Sequence, residues 1–354
     1  MIMIRTDANV AIATGHLMRT LTIARECLKR KETVCFVFSD EESVALFGRM
    51  CPKEESSVYR VERLFCDYRH PETELDALEK LLQSENPRTL LLDSYFVTPN
   101  YLQTIGQYTR VVYLDDLRAF DYPVDTVVNY DIIGVEERQA YRSGYSQARQ
   151  LLLGGQYAPL REQFCMVPYQ TRAVVENILI TTGGTDDEDR TTMLIDAVLR
   201  GASKQTSIHV VIGALNRHRD RLRERAEHID QQRVKQQQAG QKPAGQLKLY
   251  EGVSDMAALM SRCDIALSAA GTTLYELSAV GVPTICFSMA ENQRACAEAF
   301  AASGAVIAER GDFAGSIRQL VADYPGRCQM TKTMRALIDG KGAARIAEEL
   351  LSDH

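Results

Sequence analysis

His16 follows Gly15 in the run TGHLMR, directly after an apolar opening stretch, and histidine is the side chain best placed to take a proton near neutral pH. A loop-to-helix junction puts its ring at the positive end of a helix. That disfavours imidazolium and keeps a neutral base available. The same position also suits a capping or packing group. Asp7, one loop earlier, could orient the histidine or hold a substrate hydroxyl; its alternative is an Asx turn with Asn9. Asp93 and Tyr95 end one expected strand, and Asp115 and Asp116 end another. Each aspartate could serve the same crevice or cap the helix that follows.

A second chemistry is written into DIALSAAGTTLYELSAVGVPTICFSMAENQ, residues 264–293. It reads as strand, small-residue turn at Gly271, helix from Thr272 to Val280, strand and polar loop. Thr272 and Thr273 are plausible N-caps, and such a terminus offers N–H groups and positive dipole to a phosphate. Glu276, one turn in, could accept from ribose hydroxyls. Asn292 and Gln293 end the next strand and open towards the same edge. Gly183 and Gly184 end an earlier strand, where two glycines permit close backbone approach to a diphosphate. A well-capped βαβ unit without ligand is the plain alternative. Neither G-x-G-x-x-G nor a Walker A loop occurs, so dinucleotide and ATP chemistry are not signalled.

Strands must alternate with helices to carry these residues. Residues 1–5, 33–38, 89–92, 111–114 and 126–129 read as strands, with helices over 41–50, 72–84 and 99–108. After an expected linker over 151–164 the rhythm restarts, with strands at 177–182, 207–212, 247–250, 264–268 and 284–288. Residues 231–246 are polar and low in complexity, a solvated loop or frayed helix end. This pattern predicts an α/β protein with two doubly wound parallel sheets facing a cleft: domains over 1–165 and 166–335, then a helical tail over 336–354.

Composition narrows the classes. The 354 residues are 45% hydrophobic and 25% charged, with net charge −6, which argues against a nucleic-acid partner. No apolar run is long enough to span a membrane, and the N-terminus lacks a secretory pattern. Nine cysteines without a C-x-x-C pair fit reduced cytoplasmic thiols. No metal-ligand spacing is recognisable, and no cofactor is expected. The oligomeric state is not readable.

Taken in order, RTDAN, TGHLMR, DSY, LDD, LLGGQYAPLREQF, LITTGGTD, the Gly-Thr-Thr…Glu helix, ENQ and IDGKGAARIA resemble the nucleotide-sugar hydrolases of pseudaminic acid biosynthesis. Spore-coat polysaccharide proteins are close kin of that family and MurG-type GT-B glycosyltransferases more distant ones. The resemblance implies a GT-B-like fold of two Rossmann-like domains. It also implies metal-independent hydrolysis of UDP-2,4-diacetamido-2,4,6-trideoxy-β-L-altrose to UDP and free sugar. By the same resemblance His16 is the base and Tyr95 the tyrosine of the D-x-Y motif. Substrate contacts are expected at Asp7, Gly15, Arg19, Asp93 and Asp115. Nucleotide contacts are expected at Gly183, Gly184, Gly271, Thr272, Thr273, Glu276, Asn292 and Gln293. The chain departs from the family at Ala13, where glycine is usual, and around Ala269, Ala270 and Tyr275. Two other functions share the motifs: glycosyl transfer from the same donor to an acceptor, and a non-catalytic nucleotide-sugar-binding subunit.

Overall fold

The computed structural model describes residues 1–9, 12, 14–134 and 137–352, without the Asn292 side chain. Ala13 therefore lies outside the described residues. The chain divides into two compact units, Met1–Glu162 with Gly340–His354, and Gln163–Asp339.

The first unit is a seven-stranded parallel sheet: β1 (Ile2–Thr6), β2 (Val34–Phe38), β3 (Arg60–Arg63), β4 (Thr89–Asp93), β5 (Arg110–Leu114), β6 (Thr126–Asn129) and β7 (Gln150–Leu153). Their spatial order is β3-β2-β1-β4-β5-β6-β7. Every residue of β1, β2 and β4 is buried, as continuous apolar runs covered by helices on both faces must be. The order reverses between β1 and β4, which pair Thr6 with Asp93. There, chain leaving the two strand ends parts to opposite sides and leaves a crevice.

The second unit repeats the plan with β8 (Asn177–Thr181), β9 (Ser207–Ile212), β10 (Leu247–Glu251), β11 (Ile265–Ala269), β12 (Thr284–Phe287) and β13 (Val306–Ala308). Their order is β10-β9-β8-β11-β12-β13, again wholly parallel, with its reversal between β8 and β11. Gly183-Gly184 and Gly271 follow those two strands.

Three departures from the expected layout have physical reasons. The sequence Arg-Val-Glu-Arg of β3 has no apolar run because it is a half-exposed edge strand, where charge discourages further pairing. The expected linker over 151–164 begins inside β7, the opposite edge, where Val128 pairs with Leu152. The tail is not a separate unit. Helix Gly342–Leu351 buries Ala343, Ile346, Ala347 and Leu350 in one core cluster with Leu17, Leu21 and Ala24. Its Glu349 accepts from Thr126 (2.8 Å) and Gln150 (2.8 Å) and pairs with Arg110, tying the tail to the β5–β7 side of the sheet.

Helix Arg219–Gln238 absorbs the first part of the polar 231–246 stretch and buries Leu222 alone, so it lacks the apolar stripe that marks most helices. Among the described residues no helix is long and apolar enough to cross a membrane.

Candidate functional site

In the first unit, helix Gly15–Lys29 begins just past β1, and its first turn carries His16 and Arg19 on one face, three residues apart. Both side chains meet Asp93 at the end of β4. Arg19 donates from Nε to Oδ2 (2.7 Å) and from Nη2 to Oδ1 (2.5 Å), a bidentate pair. His16 Nδ1 makes a short hydrogen bond to Asp93 Oδ1. Asp93 is 1% exposed. Burial alone would raise its carboxyl, but the charge of Arg19, then that of His16, holds it well below the usual carboxylate range.

An ionised Asp93 has no proton to give, so Nδ1 of His16 carries the hydrogen of their bond, and Nε2 is the nitrogen through which the ring can exchange a proton. Arg19 Nη2 also stands 3.2 Å from Nδ1, but guanidinium only donates, and the shorter carboxylate contact decides the tautomer. An imidazole held on a buried carboxylate in this way has the geometry of a base and its orienter.

The remaining arm of Arg19, Nη1, donates to Asp116 (2.6 Å) and meets the Tyr130 hydroxyl. Tyr95 donates to the same Asp116 oxygen at 2.8 Å, and its ring stands edge-on to His16 with centroids 4.4 Å apart. Burial, then the Asp116 charge, raises the Tyr95 hydroxyl well above the ordinary phenol range, so it acts as a donor at neutral pH. Beside this cluster lies a cavity of about 10 Å³ lined by Asp7, His16, Tyr68, Asp93, Tyr95 and Phe96 among others. That is about the minimum space for one water.

Two expected substrate contacts have their carboxylates committed elsewhere. Asp7 accepts from the Ser39 amide and hydroxyl (2.7 Å each) and from Arg5 (2.6 Å), and Arg5 in turn holds Glu74. It lines the cavity, but Asp93 orients the histidine. Asp115 accepts from the amides of Leu117 and Arg118 and from Tyr122 and Tyr145, fixing the loop after β5. Arg19 likewise has all its arms engaged within the cluster. A Cβ on Gly15 would meet nothing within 4 Å, so this glycine leaves open space in front of the helix.

In the second unit a pocket of about 560 Å³ opens at the β8/β11 reversal. Gly183 and Gly184 line one side, Gly271, Thr272 and Thr273 another, and Gln293 a third. Gly183 has φ 85°, a left-handed conformation that favours glycine. Helix Thr272–Val280 is capped by Gly271 in an extended conformation, with no side-chain hydrogen bond to the cap. Thr272 and Thr273 are thus its first residues rather than its caps, and its leading amides are left for a ligand.

Gln293 Oε1 accepts from the Met289 amide (2.9 Å), bracing the loop after β12. Glu276 is half-buried and is not among the residues lining this pocket. The side chain of Asn292 lies outside the described residues. Sequence reasoning overlooked Gly213 as a support. A Cβ there would stand 2.2 Å from the Gly183 carbonyl oxygen, so only glycine lets β9 pass beneath the Gly-Gly loop. Its position at a strand end was the available signal.

No protein-family model matches the chain. The spore coat polysaccharide biosynthesis protein SpsG of Bacillus subtilis is 30% identical over 238 residues, which span 63% of this chain and 63% of that protein. The chain therefore matches less than two thirds of that relative's length. Among solved structures, Acinetobacter baumannii MurG superposes with TM-score 0.66 at 10% identity, covering 99% of this chain and 98% of that one. Arabidopsis thaliana UGT89C1 complexed with UDP-L-rhamnose gives TM-score 0.60 at 11% identity, covering 99% of each. These likenesses establish a GT-B glycosyltransferase-like fold of two Rossmann-like units; activity does not follow from fold.

Proposed function

We propose that the chain hydrolyses a UDP-linked sugar at its anomeric carbon, releasing UDP and the free sugar, with a UDP-2,4-diacetamido-2,4,6-trideoxyhexose as the substrate class. The observation that carries this reading is the His16–Asp93–Arg19 cluster beside a water-sized cavity. Asp93 fixes the tautomer, Arg19 fixes Asp93, and Nε2 of His16 takes the proton as water attacks. The new bond joins the water oxygen to the anomeric carbon. The bond from that carbon to the β-phosphate oxygen breaks, and its electron pair leaves with UDP. The diphosphate is assigned to the pocket after β8 and β11, where backbone amides and the helix dipole receive its charge.

The sugar class comes from the motif resemblance. The nucleotide is supported by the pocket chemistry and by the UDP-L-rhamnose complex of UGT89C1. Glycosyl transfer from the same donor to an acceptor is the rival reading, favoured by the MurG likeness and by the polysaccharide role in the name of SpsG.

One experiment separates the two. The purified chain is incubated with a panel of UDP-sugars, and free UDP and free reducing sugar are followed together. Equal release of both without an acceptor is the expected result. UDP release that requires an added acceptor, with no free sugar formed, would establish transfer instead.

A further inference from the structure

The first unit contains a larger cavity of about 680 Å³ against the outer edge strand β7, lined by Arg138, Arg142, Arg149, Gln150, Gln156 and Tyr157 among others. That volume is typical of small-molecule sites. Arg138 and Arg142 sit four residues apart in helix Arg138–Gly144, on one face, so their guanidinium groups serve the same space. Neither has a carboxylate partner among the described residues.

Among the described residues, acids close in sequence are already engaged. Asp125 pairs with Arg149 (3.1 Å), Asp121 accepts from Ser146 and the Gln147 amide, Asp131 accepts from Tyr141, and Glu137 accepts from the Gly134 amide. Arg118 is stacked over the Tyr141 ring, 3.7 Å from its centroid. In a chain of net charge −6, two arginines converging on one cavity without a carboxylate partner among the described residues are a local exception.

Guanidinium presents a planar fork of donors matched to phosphate oxygens. Gln156 and Tyr157 add an amide and a hydroxyl along the strand side. We propose that this cavity binds a small organic phosphate, with its charged groups on Arg138 and Arg142 and its hydroxylated body along β7. The proposal stands apart from the nucleotide pocket of the second unit and does not depend on it.

The test is calorimetric titration of the whole chain with fructose 1,6-bisphosphate, in the presence of excess UDP to fill any nucleotide site. Saturable binding is expected, weakened tenfold or more in Arg138→Ala/Arg142→Ala, as loss of charged hydrogen bonds implies. UDP affinity and melting temperature should stay unchanged in that variant, because both arginines are exposed. Fructose itself should give no heat of binding. Absence of saturation up to about 10 mM, corresponding to less than about 3 kcal/mol of binding, would overturn the proposal. Equal affinity in the double variant would do the same. Citrate matching the bisphosphate would show that charge alone is read, and would overturn the assignment to phosphate.

Discussion

Arg19 and Asp93 meet through two parallel hydrogen bonds, 2.7 and 2.5 Å long, and the same carboxylate oxygen that takes the shorter one also takes Nδ1 of His16. Orientation of the histidine therefore depends on a residue one turn further along its own helix, acting through a strand end. Asp93→Asn keeps the shape but lets the amide face the ring with either group, so the tautomer is no longer imposed. It also leaves the buried Arg19 charge without its main partner. Breaking such a pair costs about 3–5 kcal/mol of stability. The folded carboxyl is held below its unfolded value, so the wild-type contribution is complete above the ordinary carboxylate range and is lost as pH falls from there through the much lower folded value. Chemical denaturation of both proteins at pH 7 and pH 3 should show the gap narrowing at the lower pH; a constant gap would remove Asp93 as the charged anchor.

His16→Asn removes the proposed base and keeps a polar group of similar size. General-base assistance supplies about 10²–10⁴-fold, so kcat should fall by about that factor while UDP affinity is unchanged. Near-normal turnover on the true substrate would make His16 a structural group at the helix start.

Metal independence follows from assigning the leaving diphosphate to backbone amides. Turnover should survive excess EDTA with no change in kcat. Complete loss, restored by a divalent cation, would move the charge-stabilising task away from the helix end.

The alternation of apolar runs with amphipathic segments made both parallel sheets legible, because buried parallel strands are written as continuous hydrophobic stretches. The two edge strands of the first sheet escaped for the converse reason. Arg60–Arg63 is charged because it borders solvent, and Gln150–Leu153 merged with a run that looked like linker. His16 and Asp93 were visible as residues, but their partnership was not. They are 77 positions apart, and only the reversal of strand order between β1 and β4 brings them together. The commitment of Asp7 to Ser39 and Arg5 was equally invisible, because an aspartate after a strand looks the same whether its oxygens are free or filled.

His209 gives a prediction about stability alone. It is buried on β9, with Nε2 donating to Asn177 Oδ1 and Nδ1 accepting from the Tyr250 hydroxyl, both at 2.9 Å. With the ring neutral, both nitrogens are satisfied. Burial, aided by the charge of Lys248, lowers its pKa to about 4. The unfolded chain binds that proton near pH 6.5, so it holds more protons than the folded chain between the two values. Stability should be complete above about pH 6.5 and decline as pH falls towards 4. His209→Gln, which keeps a donor and an acceptor without titrating, should flatten that part of the profile. An unchanged slope would place the acid sensitivity elsewhere.

The nucleotide pocket can be tested by deleting one hydrogen. Thr272 is the first residue of its helix, the position where proline is best tolerated because the amide there has no partner within the helix. Gly271 before it is extended, with φ −115° and ψ −159°, a conformation compatible with a following proline. Thr272→Pro should therefore fold with little change in melting temperature while removing the amide assigned to the diphosphate. Losing a hydrogen bond to a charged group costs about 1.5–3 kcal/mol, so UDP affinity should fall by about 10–150-fold. Thr272→Ser retains the amide and a hydroxyl and should bind UDP as the wild type does. The control separates backbone from side chain: weakening in the proline variant alone points to the amide, and equal weakening in both points to the threonine side chain. If the proline variant is stable and binds UDP normally, the phosphates do not rest on this helix end.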